Sequence, residues 1–187
     1  LESGSAARMP GLARSTLREI ERRLVLRTRA VITVNEGIAR ELSRRYGVDP
    51  IVVMNCPPYV EVSRPGRMRA ELGLDDQKIL LYHGAVDAGR GIEAIIESLR
   101  YLPPSVVLVV LGNGSLVPFV QEQQQRSELA DRIRWHPAVP LSELLSWIVD
   151  ADLGLMLISP SELSFVLSTP NKLFECMTAG VPVIASD

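Results

Sequence analysis

Val106-Val107-Leu108-Val109-Val110-Leu111-Gly112-Asn113-Gly114 decides the fold. Its first six residues are apolar without interruption, and valine, a β-branched residue, predominates. Such a run is strand-sized, far short of a membrane span, and shows no inward–outward alternation. A strand apolar on both sides belongs in a parallel sheet covered on both faces by helices. The closing glycines read as a tight strand-to-helix turn, or as one wall of a ligand crevice.

The same pattern extends in both directions. Residues 79–82, 133–135, 153–158 and 181–185 read as strands; 91–101, 116–127, 141–149 and 171–179 read as helices. Regular alternation from residue 78 onward predicts an α/β fold with a doubly wound parallel sheet, Rossmann-like in layout. In the common strand order the first of these strands is central and the fourth lies beside it. Ligands bind at that reversal, outside the carboxyl ends of the strands. Two loops then meet at one crevice. They are His83-Gly84-Ala85-Val86-Asp87-Ala88-Gly89-Arg90-Gly91 and residues 159–169, which lead into Pro170-Asn171-Lys172.

Upstream, residues 1–13 read as a mobile tail. Leu17, Ile20 and Leu24 then fall at helical spacing over residues 14–28, with arginines on the other faces. That pattern fits a surface helix with a narrow apolar stripe, and it permits peripheral contact with an anionic membrane. A strand at 30–34, a helix at 35–46 closed by Gly47, and a strand at 51–54 follow. Asn55-Cys56-Pro57-Pro58 is a stiff extended connection and a candidate hinge, and residues 66–72 form a helix ended by Gly73.

The totals narrow the function. Of 187 residues, 47% are apolar, enough for a packed core, and the formal net charge of −2 argues against a nucleic-acid binder. Cys56 and Cys176 lack metal-ligand spacing and read as buried thiols in a reducing, cytoplasmic compartment. His83 and His136, the two histidines, sit in no metal motif, and no signal-peptide pattern opens the sequence.

The chemistry concentrates in Ser168-Thr169-Pro170-Asn171-Lys172-Leu173-Phe174-Glu175. Thr169 suits an N-cap and Pro170 the first helical position. The helix start offers free N–H groups and a positive dipole end, a seat for phosphate. Lys172 opposes that dipole, a conflict that a bound anion resolves. Glu175 lies on the same face, where a carboxylate can accept hydrogen bonds from ribose hydroxyls. An ordinary capped helix with a surface Lys172–Glu175 salt bridge explains the spacing equally well. In the other loop, Gly84, Gly89 and Gly91 leave room for close approach to the backbone, and Arg90 can fork onto phosphate oxygens. The spacing does not match the dinucleotide fingerprint. After the third strand of the series, Trp135-His136-Pro137-Ala138-Val139 offers backbone groups or a flat ring to a nucleobase; a packed Trp and a surface His are the alternative. Glu162 is either functional or a solvated charge.

Tyr82-His83-Gly84, Gly89-Arg90-Gly91-Ile92-Glu93, Leu111-Gly112-Asn113-Gly114-Ser115, Ala151-Asp152-Leu153-Gly154-Leu155, Pro170 to Glu175 and Ala179-Gly180-Val181-Pro182-Val183-Ile184-Ala185-Ser186-Asp187 occur in this order. The series resembles the nucleotide-sugar glycosyltransferases of family 4 (group 1), which have two Rossmann-like domains facing a cleft (the GT-B fold). The resemblance runs from about residue 30 to the end. It implies retaining transfer of a sugar from a nucleotide diphosphate donor to an acceptor hydroxyl, with no metal or other cofactor, in polysaccharide or glycoconjugate biosynthesis. The acceptor (glycan, lipid-linked or small molecule) is left open.

Carried over by position, Gly84 admits the donor, Arg90 and Lys172 hold the diphosphate and serve as catalytic cations, and Glu175 takes the ribose. Ser168, Thr169 and Asn171 contribute donor contacts, and Pro137, Ala138 and Val139 stand near the base. Ala85 replaces an arginine common in the family, and Leu167 replaces the first acid of a paired-glutamate motif. The backbone at Ser168 and Thr169 is expected to substitute for that acid.

By the same resemblance, residues 14–55 are the end of an N-terminal domain and 56–77 a hinge and linker helix. Residues 78–187 are then a donor-binding domain, truncated, and the chain reads as a fragment. A nucleotide-sugar epimerase of the same architecture and a non-catalytic nucleotide-binding module are the competing classes.

Overall fold

The computed structural model describes residues 10–57, 59–62, 66–125, 128–159 and 163–186. In chain order the elements are α1 (Gly11–Val25), β1 (Ile32–Thr33), α2 (Glu36–Tyr46), β2 (Ile51–Val52), α3 (Arg67–Leu72) and β3 (Lys78–His83). Then come α4 (Ile92–Ser98), β4 (Val106–Leu111), α5 (Val117–Gln125), β5 (Ile133–His136) and α6 (Leu141–Ile148). The last are β6 (Leu153–Met156), α7 (Leu163–Val166), α8 (Asn171–Thr178) and β7 (Val183–Ala185). The contacts divide the chain into two compact units, residues 1–56 with 160–169, and residues 57–159 with 170–187.

The second unit carries a five-stranded, all-parallel sheet in the order β5-β4-β3-β6-β7. The expected doubly wound order is therefore present, with β3 central and β6, the fourth strand of the series, beside it. Alternate residues of one apolar run feed opposite faces, which explains why the strands show no polar side. Ile79, Leu81, Val107, Val109 and Leu111 pack with Trp147, Ile148 and Cys176 on one face. Tyr82, Leu108 and Val110 pack with Ile92, Ile95, Ile96 and Val120 on the other. Each fully buried Leu, Ile or Val contributes about 1.5–3 kcal/mol relative to exposure.

In the first unit, β1 and β2 pair in parallel, and α2 is capped at both ends. Asn35 accepts a hydrogen bond from the Ile38 N–H at 2.8 Å, and Gly47, at φ 68°, closes the helix in the left-handed conformation.

Several expected boundaries shift. The helix predicted at 14–28 begins at Gly11, so part of the expected tail is helical, and residues 1–9 lie outside the described residues. The helix predicted at 91–101 splits into α4 and a 3-10 turn at Leu99–Tyr101. The strand predicted at 153–158 ends at Met156, and the loop at 159–169 contains the short helix α7. The Leu17, Ile20 and Leu24 stripe of α1 is exposed.

Candidate nucleotide-binding site

The site grows from the carboxyl end of β3. There the chain leaves the sheet at Gly84, whose φ of 104° suits glycine, and loops back through Gly91 into α4. The loop is stitched on both sides. Toward β4, the Val86 N–H donates to the Asn113 carbonyl and the Leu116 N–H to the Val86 carbonyl, each at 2.9 Å. Asp87 accepts from both the backbone N–H and the hydroxyl of Ser115 at 2.8 Å, which holds its carboxyl below the usual range. Toward β6, the Ser159 N–H donates to the Gly89 carbonyl at 2.9 Å. Gly112 and Gly114 permit this closeness: a Cβ would stand 1.9 Å from the Gly84 oxygen in one case and 2.3 Å from the Val86 oxygen in the other. The Gly112–Gly114 turn, which the sequence offers as a strand-to-helix turn or a crevice wall, is a brace for the first loop.

Helix α8 brings the charged groups. Lys172, in its first turn, places Nζ 4.2 Å from the centre of the Tyr82 ring. A Cβ on Gly84 would lie 3.7 Å from the same Nζ. Burial lowers the Lys172 pKa from 10.5 to about 8; the Arg90 charge adds to the effect, and Glu175 and Cys176 oppose it. The two cations, Lys172 and Arg90, thus act against one another. The Tyr82 hydroxyl donates to the Ala85 carbonyl, and burial pushes this phenol up to about 12. Burial likewise raises the Cys176 thiol to about 12, which leaves it a packing residue rather than a nucleophile.

Glu175, one turn further along α8, approaches His83. Its Oε2 lies 2.9 Å from His83 Nε2, with side-chain exposures of 12% and 3%. This pairing departs from the Lys172–Glu175 salt bridge that spacing alone allows. His83 is the residue that sequence reasoning passed over. Its signal was a polar side chain ending an otherwise apolar strand, immediately before Gly84.

Thr169 is not the N-cap of α8. The helix starts at Asn171, the cap position is Pro170, and no side chain caps it. The Thr169 hydroxyl instead accepts from Asn35 Nδ2 at 2.6 Å, and the same nitrogen donates to the Leu167 carbonyl at 2.7 Å. Ser168 donates its hydroxyl to the Phe165 carbonyl at 2.8 Å. Both residues belong to the first unit. Pro137 and Ala138 are exposed after β5, two strands from β3, and Val139 packs partly into the core. His136 packs against buried Trp147, with ring centres 4.3 Å apart and the ring planes tilted by 40°. Glu162 lies outside the described residues.

Sequence and fold both have counterparts among known proteins. The sequence model of Glycosyl transferases group 1 matches residues 77–187. D-inositol 3-phosphate glycosyltransferase of Xylanimonas cellulosilytica is 27% identical over 182 residues, which cover 89% of this chain and 42% of that protein. Alpha-D-kanosaminyltransferase of Streptomyces kanamyceticus is 30% identical over 131 residues, 67% of this chain and 32% of that protein. In fold, the chain resembles Anabaena HepE, solved in complex with UDP, with a TM-score of 0.75 and 18% identity over 91% of this chain and 48% of that one.

The chain belongs to the group 1 glycosyl transferases. It spans less than half the length of the two curated relatives.

Proposed function

We propose that this chain binds the nucleoside diphosphate part of a sugar donor and forms the donor half of a retaining glycosyltransferase. The observation that carries this reading is the position of Lys172. Its ammonium is desolvated, shares its field with a second cation, Arg90, and stands against the exposed backbone of Gly84 at the end of the central strand. An anion of two or more charges relieves both the desolvation and the repulsion. Asn171 and the α8 start supply N–H groups to the same diphosphate. Glu175, beside Lys172 on the helix, takes the ribose hydroxyls, and the backbone around Pro137, Ala138 and Val139 takes the base.

Charge grows on the leaving phosphate as the glycosidic bond breaks. Arg90 and Lys172, already placed, stabilise it without reorganisation, which is electrostatic catalysis. The acceptor attacks from the same face and passes its proton to a phosphate oxygen. The exposed α1 stripe with its flanking arginines supports peripheral membrane contact. Family membership favours glycosyl transfer over epimerisation.

Calorimetric titration with UDP, ADP and GDP tests the reading. One of the three is expected to bind, and Glu175→Gln should weaken the ribonucleotide more than its 2′-deoxy analogue. Absence of binding by all three, or equal losses for ribo and deoxy forms, overturns it.

A further inference from the structure

We infer that His83 is a positioning residue that sets the ribose selectivity of the site by fixing the Glu175 carboxylate. The inference rests on the donor-site reading above. It starts from three facts: the 2.9 Å contact between His83 Nε2 and Glu175 Oε2, the near-complete burial of the imidazole, and a buried Nδ1 with no hydrogen-bond partner in the described structure.

A carboxylate oxygen only accepts, so Nε2 carries the proton and donates. The contact fixes Nε2 as the nitrogen that faces the carboxylate, while Nδ1 is buried without a hydrogen-bond partner among the described residues. The ring cannot move away: its backbone is the last residue of the central strand, paired in register with Leu111 of β4. Glu175 by contrast sits on a glutamate stem with several rotatable bonds, and left alone it would sample rotamers. One oxygen of the carboxylate is tied to the sheet. The other, together with the remaining lone pair of the first, is left to accept from vicinal hydroxyls. His83 touches no substrate atom in this scheme; it acts through Glu175. Its neighbour Tyr82 performs the corresponding service for Lys172, so consecutive residues of one strand aim both charged groups of α8.

The test compares binding of UDP, ADP or GDP, whichever the titration above selects, and of its 2′-deoxy analogue to the whole chain and to four variants, with thermal melting as the measure of folding. In the parent chain the ribonucleotide is expected to bind about tenfold or more tightly, the scale of a hydrogen bond to a charged group. His83→Met keeps the volume but removes the donor, and should reduce the ratio to less than about threefold. His83→Gln places an amide N–H near the former Nε2 and should restore most of it. His83→Asn reaches only to the Nδ1 position and should behave like His83→Met. This pair keeps the test decisive if the methionine variant does not fold. A ratio retained in His83→Met or His83→Asn while Glu175→Gln abolishes it overturns the role of His83 alone. A ratio unchanged in Glu175→Gln overturns the ribose contact itself, and the inference with it.

Discussion

Lys172 sits in a setting that disfavours its charge, and the proposed donor site turns that setting to use. Its pKa of about 8 in the free protein reflects burial first and Arg90 second. A bound diphosphate favours the protonated form and raises that value again. Binding therefore takes up a proton, and by linkage affinity is constant well below pH 8 and falls as pH rises through about 8 toward the bound-state value. Titrations with the nucleoside diphosphate that binds, between about pH 7 and about pH 9.5, should show this decline, and Lys172→Ala should remove it along with roughly 1.5–3 kcal/mol of binding. Constant affinity across that range in the parent chain would exclude Lys172 as the anion's partner. Lys172 stands out in the sequence because a cation in the first helical turn is anomalous on local grounds. The partner of Glu175 was not, because His83 lies 92 positions away and no local rule connects them.

At the scale of elements, the loop after β3 keeps its shape through its neighbours. Gly112 and Gly114 let the β4 turn lie directly against it, and backbone hydrogen bonds join the two. Gly112→Ala drives a methyl group into the Gly84 carbonyl, which must shift with the whole loop. The expected cost is about 1–3 kcal/mol in denaturant unfolding, with weaker UDP binding beyond what the stability loss explains. An unfolding midpoint and UDP affinity equal to the parent's would show that the brace is dispensable. The sequence displayed both glycines but offered only a turn or a crevice wall for them. Their actual task depends on strand order, since β3 and β4 must be neighbours before one turn can support the other. The capping of α8 departs from expectation for a similar reason. Thr169 is chemically a good cap, but Asn35, 134 positions away, claims its hydroxyl, and the helix starts at Asn171 with no side-chain cap.

Over the whole molecule, the second unit is organised by contacts of long sequence separation. Asp150, 4% exposed at the end of α6, accepts from the Gly66 N–H at 3.1 Å and the Met68 N–H at 2.8 Å. It caps a helix more than eighty residues upstream and holds fully buried Met68 in the core. Asp150→Ala leaves two N–H groups without their acceptor. It should lower unfolding stability by about 2 kcal/mol or more, read from urea titrations. A change below about 0.5 kcal/mol would show that α3 is held by packing alone.

Sequence by itself determined the parallel α/β sheet, its strand order and the two loops that flank the reversal. Uninterrupted apolar runs, glycine turns and strand–helix alternation are local properties, and the topology rules convert them into an architecture. Tertiary structure decided the pairing of His83 with Glu175, the seat of Lys172 over Tyr82, the brace formed by Gly112 and Gly114, and the diversion of Thr169 to Asn35. Each of these is a contact between side chains or turns far apart in the chain. Its existence depends on distances that only the folded sheet sets.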